Sequence, residues 1–329
     1  MTESLIHSWG LTPPGMPYLR KKSIRGRTYH YVVTSVRLGG KVRKFQVYAG
    51  DRRPTTRVRS RLETALERKV RRETARLDPL VGLLTREQEE TAAWARRSFD
   101  RLVKSDLDSA NSYREWFITT FTYDSNAIEG STLTPEETAL VLFEGLSPAG
   151  RPLRDVRAAE NHRRAYEWML RLPGGLTRPL VLGLHRRMSE DLLPPSRSGR
   201  LRPVQVYVRG SPHMPPPPEA VPVHLAALLR WARTAREKYH PVVLAARFHV
   251  EFERIHPFVD YNGRTGRLLI NFMLLRGGLP PIDIRNKERL RYYEAIRIGI
   301  EGDLRPMASL IIDRLGEFAP GYSRRIGKR

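Results

Sequence analysis

The chain has 329 residues, 40% of them hydrophobic, enough to bury the core of one large domain or two. It has no cysteine, which excludes disulfides, thiolate metal sites and cysteine nucleophiles. Its formal net charge is +23, and residues 1–80 hold 19 Lys and Arg against 6 Asp and Glu, so 13 of the excess charges lie in the first quarter. Such a surplus fits an acidic partner, a nucleic acid or a plain solvated surface. No zinc finger, homeodomain or other base-reading module accompanies it, which favours the solvated surface. The opening MTESLIHSWGLTPPGMPY lacks the basic, apolar and small-residue succession of a secretory signal, and no apolar run approaches membrane-spanning length. A soluble cytoplasmic protein with no membrane contact is the expectation.

In chain order, Arg27 to Gly50 (RTYHYVVTSVRLGGKVRKFQVYAG) reads as a β-hairpin turning at Gly39-Gly40. Two strands are marginal in water, so this piece needs a helix to pack on. Arg57 to Leu77 supplies one, with Val58, Leu62, Leu66 and Val70 on a single stripe, and Asp78-Pro79 ends it. Residues 1–80 are therefore expected to form a basic appendage, and 81–329 the main domain. Thr85 with Gln88 is a capping box opening a helix to about Ser105. Tyr113, Trp116, Phe117 and Phe121 recur at helical spacing, predicting a buried helix over Asn111 to Glu129, stopped by Gly130. Thr134-Pro135-Glu136-Glu137 restarts a helix. Further helices fit Asp155 to Leu170, Leu176 to Leu193, Val223 to Tyr239, Pro241 to Ile255, Arg264 to Gly277, Asn286 to Ile300 and Arg305 to Phe318. The fold class is mainly α. One interruption, Gly199 to Gly210 (GRLRPVQVYVRG), has Val204, Val206 and Val208 in strict alternation and reads as a second β-hairpin with a proline-stiffened exit.

Between two apolar helices lies a polar turn, His256 to Arg267 (HPFVDYNGRTGR). Asn262 and Gly263 are cap and turn residues, so the outgoing helix starts there and leaves its first N–H groups without intrahelical partners, a ready anion site. Arg264 and Arg267, three apart, share a face of that first turn. Asp260 is placed to offer a hard oxygen to Mg²⁺. His256 brings a base of near-neutral pKa, which a hydroxyl nucleophile beside a phosphate requires. His249, by contrast, reads as core. No Walker A sequence exists, so a nucleotide would be held by a helix start and arginines.

This stretch resembles the signature of the Fic family, HPFx(D/E)GNGRxxR, at every position except Tyr261, where the family has Gly. The resemblance extends from about Tyr113 to Asp313. It implies a Fic-type helical bundle and a protein adenylyltransferase: His256 deprotonates a Ser, Thr or Tyr hydroxyl of a target protein as that hydroxyl attacks the α-phosphorus of ATP. Asp260 holds Mg²⁺, the amides around Asn262 to Arg264 bind phosphate, and Arg267 meets the γ-phosphate. It also makes the Val204–Val208 stretch a flap that pairs with an extended target segment. Tyr293 matches an aromatic that contacts adenine, while Ile300 stands where an Asn usually bonds the base. Ser125 to Gly130 (SNAIEG) matches the inhibitory pattern (S/T)xxxE(G/N) of the class whose inhibitory helix precedes the core, here about 111–130. Glu129 would then occupy Arg267 and hold the enzyme off, with Ser125 opening the pattern.

Two alternatives accompany this reading. One is removal of AMP from a modified protein, with Glu129 orienting a water. The other is a catalytically silent nucleotide sensor that binds nucleic acid through the basic N-terminal region. A homodimer is compatible with either.

Overall fold

The computed structural model describes residues 17–318 other than 25, 39, 40, 79, 105, 209 and 211. The Gly39-Gly40 turn and Pro79 therefore lie outside the described residues. The chain divides into two units, one taking in residues up to Leu83 together with Thr234–His240, the other Leu84–Arg233 together with Pro241 onward. No helix among the described residues is long and apolar enough to cross a membrane.

In the first unit, β1 (Tyr18–Ile24), β2 (Arg27–Leu38) and β3 (Lys41–Gly50) form an antiparallel sheet in the order β1-β2-β3. The expected hairpin is β2 with β3, in register Val33↔Gln46 and Thr34↔Phe45. The third strand pairs from Tyr18↔Val33 to Ile24↔Arg27. Sequence reading missed it because Arg20, Lys21 and Lys22 break the apolar alternation. A third strand also removes the marginality of a lone hairpin. The sheet buries Val32, Thr34 and Val36 on one face, and α1 (Thr56–Leu77) packs across β2 and β3. Leu66 and Val70 are buried as the stripe requires, but Val58 is 43% exposed. It sits in the first turn, where the helix is tied instead by Arg59, whose guanidinium donates to the Pro17 carbonyl at 3.1 Å.

The second unit runs α2 (Arg86–Val103), α3 (Leu107–Ala127), α4 (Pro135–Ala139), α5 (Leu153–Arg171), α6 (Arg178–Met188), α7 (Val221–Ala235), α8 (Pro241–Ile255), α9 (Asn262–Arg276), α10 (Arg289–Ile300) and α11 (Arg305–Gly316). The Thr85 capping box forms in both directions, as does that of Thr134 with Glu137. α3 begins four residues earlier than expected because Asp106 caps it, accepting from the Ser109 amide at 2.8 Å. Its aromatic stripe splits: Phe117 and Phe121 are buried, whereas Trp116 is 42% exposed. The core is the pair α8 and α9, packed on each other. From Leu268 to Leu274 every α9 side chain is buried, and α8 is buried on every side chain but Arg247, Glu251 and Arg254. Helices of that kind belong in a protein interior, where each Leu or Phe contributes about 1.5–3 kcal/mol on burial. Contacts from α6, α10 and α11 enclose the pair.

The expected hairpin over Gly199 to Gly210 is corrected. No strand is assigned there among the described residues. The outgoing limb and the proline-rich return limb are instead joined by side chains, Arg202 donating to the Pro216 carbonyl and Gln205 to that of Pro215 (3.0 Å), while the same two side chains also donate within the outgoing limb to the carbonyls of Val204 (2.9 Å) and Val206 (3.2 Å). Pro215 to Pro218 have no amide to give a ladder, and a buried guanidinium substitutes for it. Val204 is exposed, Val206 and Val208 are half-buried, and Tyr207 is 76% exposed.

Candidate active site

The loop between α8 and α9, residues 256–261, is held at both ends by residues in left-handed conformation: His256 has φ 49° and Tyr261 φ 64°. Each costs on the order of 1 kcal/mol, so the surroundings must over-determine the loop. They do so through polar side chains that sequence reading did not single out. Arg202, 2% exposed, donates from Nε to the His256 carbonyl at 2.8 Å, and its amide donates to the Pro257 carbonyl at 2.9 Å. His185 lies flat against Phe258 at 3.7 Å. Its Nδ1 accepts from the Gly199 amide at 2.9 Å, so the proton sits on Nε2 and is donated to the Asp260 carbonyl at 3.1 Å. Asn262 closes the loop, accepting from the Phe258 amide at 2.9 Å and donating to the Phe258 carbonyl at 3.0 Å.

That last pair decides what Asn262 can do. Its side chain is spent on the loop, leaving only its amide for a ligand. The first intrahelical bond of α9 runs from the Thr265 amide to the Tyr261 carbonyl, 3.0 Å, so the amides of Asn262, Gly263 and Arg264 have no acceptor within the helix. The helix starts at Asn262 with Tyr261 as its cap, one residue earlier than a cap at Asn262 would give. Here the Gly of the family signature is a Tyr that still adopts the positive φ for which Gly is ordinarily selected. Its ring is buried, turned to the Arg264 guanidinium at 3.7 Å and edge-on to His185 at 6.2 Å.

Arg264 also reaches Asp260 Oδ1 at 3.3 Å. The Asp260 carboxylate is 58% exposed and accepts from the Tyr261 amide as well. A single exposed carboxylate beside a helix start with three amides free of intrahelical acceptors fits Mg²⁺, which takes one or two protein carboxylates and completes its octahedron with other oxygens and water. Among the described residues no group of three or more metal-type side chains converges.

Arg267 is the most constrained residue of the site, 1% exposed. Its Nε donates to Ser125 Oγ at 3.0 Å, its Nη2 to the Ser125 carbonyl at 2.7 Å and to Glu129 Oε1 at 2.9 Å, and its Nη1 to the Tyr292 hydroxyl at 3.4 Å. Glu129 stands just past the end of α3, where Gly130 at φ 92° turns the chain and the Ser131 amide returns to the Asn126 carbonyl at 3.0 Å. The carboxylate covers Gly263 so closely that a Cβ there would lie 2.5 Å from Oε1. Burial opposes the charge of Glu129, but Arg267, then Arg264 and the Arg267 hydrogen bond, outweigh it and hold the carboxyl below its ordinary range.

The His256 ring is 20% exposed. Burial first, and then the Arg202 charge, push its pKa down to about 4, below the near-neutral value expected from sequence, so the imidazole is neutral at neutral pH in this conformation. Glu253, one turn back on α8, faces its Nδ1 at 3.7 Å. Burial pushes the Glu253 carboxyl up to about 8, against the pull of Arg267. His249 is core, as expected: fully buried, its Nε2 paired with the Tyr292 hydroxyl at 2.8 Å and its pKa pushed down to about 3 by burial. Tyr293 lies beside the end of α3, its hydroxyl donating to the Ile128 carbonyl at 3.2 Å and its ring tilted by 39° to that of Tyr292 at 5.6 Å. Ile300, seven residues on, is half-buried at the end of α10. Glu253, His185, Arg202 and Tyr292 carry no motif signal, since each acts through its packing and not through a spacing.

Residues 175–274 match the Fic/DOC family. The protein adenylyltransferase Fic of Drosophila melanogaster is 35% identical over 195 residues, 58% of this chain and 39% of that protein. The chain thus spans about two fifths of the length of the curated relatives it matches. Among solved structures, Fic-1 of C. elegans superposes with a TM-score of 0.64 at 27% identity, covering 73% of this chain and 72% of the other. A Fic family protein from Desulfovibrio desulfuricans superposes with a TM-score of 0.57 at 29% identity, covering 71% and 74%.

Proposed function

From the Fic/DOC domain that this chain carries, we propose that the protein is an adenylyltransferase that moves AMP from ATP to a hydroxyl side chain of a target protein, and that the conformation described is its inhibited one. The observation that carries this is the juxtaposition of a neutral, partly exposed imidazole with a helix start whose two arginines lie beside three uncommitted amides. In the reaction, His256 takes the proton of a Ser, Thr or Tyr hydroxyl as that oxygen bonds to the α-phosphorus, and the bond from the α-phosphorus to the bridging oxygen breaks, releasing pyrophosphate. The amides of Asn262, Gly263 and Arg264 meet the phosphates, with Arg264 and Arg267 neutralising their charge. Asp260 would hold Mg²⁺, which offsets charge on the departing pyrophosphate. Tyr293 offers its exposed ring to adenine, and the extended stretch carrying Val204, Val206 and Val208 offers its backbone to a segment of the target. Glu129 blocks this arrangement by covering Gly263 and occupying Arg267, while Ser125 holds the same guanidinium from its other side.

The test is incubation of the Glu129→Gly variant with Mg²⁺ and labelled ATP, reading both protein-bound label and pyrophosphate. Strong labelling that disappears in Glu129→Gly combined with His256→Ala, by about 10²–10⁴ in rate, supports the reading. Release of AMP from a pre-modified protein without pyrophosphate, in place of labelling, assigns the site to AMP removal. A homodimer and a cytoplasmic setting remain part of the proposal, to be read by light scattering and by fractionation.

A further inference from the structure

The two faces of the N-terminal sheet differ in kind. Residues paired across strands share a face, and positions two apart along a strand return to it. The pairs Tyr18↔Val33↔Gln46, Arg20↔Tyr31↔Tyr48, Lys22↔Tyr29 and Ser35↔Lys44 therefore lie together on the face opposite Val32, Thr34 and Val36. On that face Val33 is buried, and the apolar surface left exposed around it is aromatic: Tyr48 is 52% and Tyr18 45% exposed, and Tyr29 and Tyr31 are partly exposed. The rings of Tyr29, Tyr31 and Tyr48 form one group, with centroids 6.2 and 5.6 Å apart and tilted by 51° and 55°. Of the three, Tyr48 is the ring left most open, with half of its surface exposed. The Lys22 ammonium stands 5.7 Å from the centre of Tyr31, and Arg20 and Lys44 are exposed on the same face. No acidic side chain occupies any of these paired positions.

We propose that this tyrosine and lysine face is a binding site for single-stranded nucleic acid, with Tyr31 and Tyr48 stacking unpaired bases and Arg20, Lys22 and Lys44 meeting phosphates. A solvated basic surface needs charges but no open rings at its centre. An acidic protein segment would be met by the charges and would leave the rings unused. Rings combined with cations are what an unpaired strand offers contacts for, because every base has a flat face and every linkage a charge. A duplex hides those base faces and shows only their edges. The site is separate from the residues of the nucleotide-transfer reading and does not depend on it.

The experiment titrates the full chain with a fluorescent 20-nucleotide oligo(dT) and with oligo(U), following anisotropy between 50 and 300 mM salt, next to a duplex of the same length and poly-glutamate. Binding of one or both single strands in preference to the duplex and to poly-glutamate is the expected result, the two arms distinguishing DNA from RNA. Tyr48→Ala should weaken it about tenfold and Tyr48→Trp should restore it, since stacking needs a ring of any kind. Lys22→Gln and Lys44→Gln should each lower the slope of log K against log salt by about 0.7. Tyr48 is half-exposed, so these variants should melt with the parent chain, which a thermal scan checks. Equal or tighter binding of duplex or poly-glutamate, or single-strand binding that is unmoved in Tyr48→Ala, overturns the proposal.

Discussion

Arg267 donates to Glu129 at 2.9 Å across a separation of 138 residues, and the same carboxylate covers Gly263 at the first turn of α9. One acidic side chain thus occupies both the guanidinium and the helix start that an anion would use. Removing it is predicted to unmask both. A hydrogen bond between charged partners contributes about 1.5–3 kcal/mol, so Glu129→Gly should raise protein labelling by about tenfold or more. Glu129→Gln, which keeps the shape and loses the charge, should fall between parent and Gly variant. Initial rates with labelled ATP decide it, and identical rates in all three proteins would remove Glu129 from any regulatory role.

Tyr261 holds a left-handed conformation and stacks on Arg264. Tyr261→Gly relieves backbone strain of about 1 kcal/mol but loses a cation–π contact and the burial of a ring that is 7% exposed, so the fold should lose about 2–4 kcal/mol of stability. Arg264 is freed by the same change. In a Glu129→Gly background, KM for ATP should therefore fall while kcat stays close to the parent value. A raised KM would show that the ring supports Arg264 instead of restraining it.

Gly266 lies where α9 presses on α8. A Cβ there would meet Glu253 Oε1 at 2.7 Å and His249 Cε1 at 2.7 Å, both on buried side chains. Neither can retreat through solvent. Gly266→Ala is expected to destabilise the fold by about 1–3 kcal/mol despite the better helix propensity of Ala. Urea denaturation measures this; an unchanged or raised midpoint would mean the α8–α9 contact is looser than described.

Glu253 predicts a pH dependence. In the unfolded chain its carboxyl titrates near 4.5, and in the native state burial moves it to about 8. Between those values the native protein keeps a proton that the unfolded chain has released. The stability this contributes is complete below pH 4.5 and is lost as pH rises through 8. Arg267 and Glu129 face the group electrostatically, and His256 lies 3.7 Å away. Glu253→Gln should flatten the decline of the melting temperature between pH 5 and 8 relative to the parent chain. Parallel curves for the two proteins would show that Glu253 is ionised in the native state.

Much of this protein is written in local sequence. Capping boxes at Thr85 and Thr134 form as their spacing requires, α8 runs from Pro241 to Ile255 as read, and His256 to Arg267 lie together because one loop and one helix turn connect them. Caps, helix periods and contiguous motifs depend on residues within a few positions of each other, so the order of residues alone determines them. The tertiary structure decided the rest. Whether Glu129 meets Arg267, whether Arg202 clamps His256 and whether Tyr292 stands behind both Arg267 and His249 depend on helices far apart in the chain meeting in space. So did the fate of Val204 to Val208, whose alternation promised a hairpin and whose partner limb has no amides from Pro215 to Pro218 to complete one. Alternation is a property of one strand, whereas a ladder needs donors on a second, and only the folded chain shows which second strand is there.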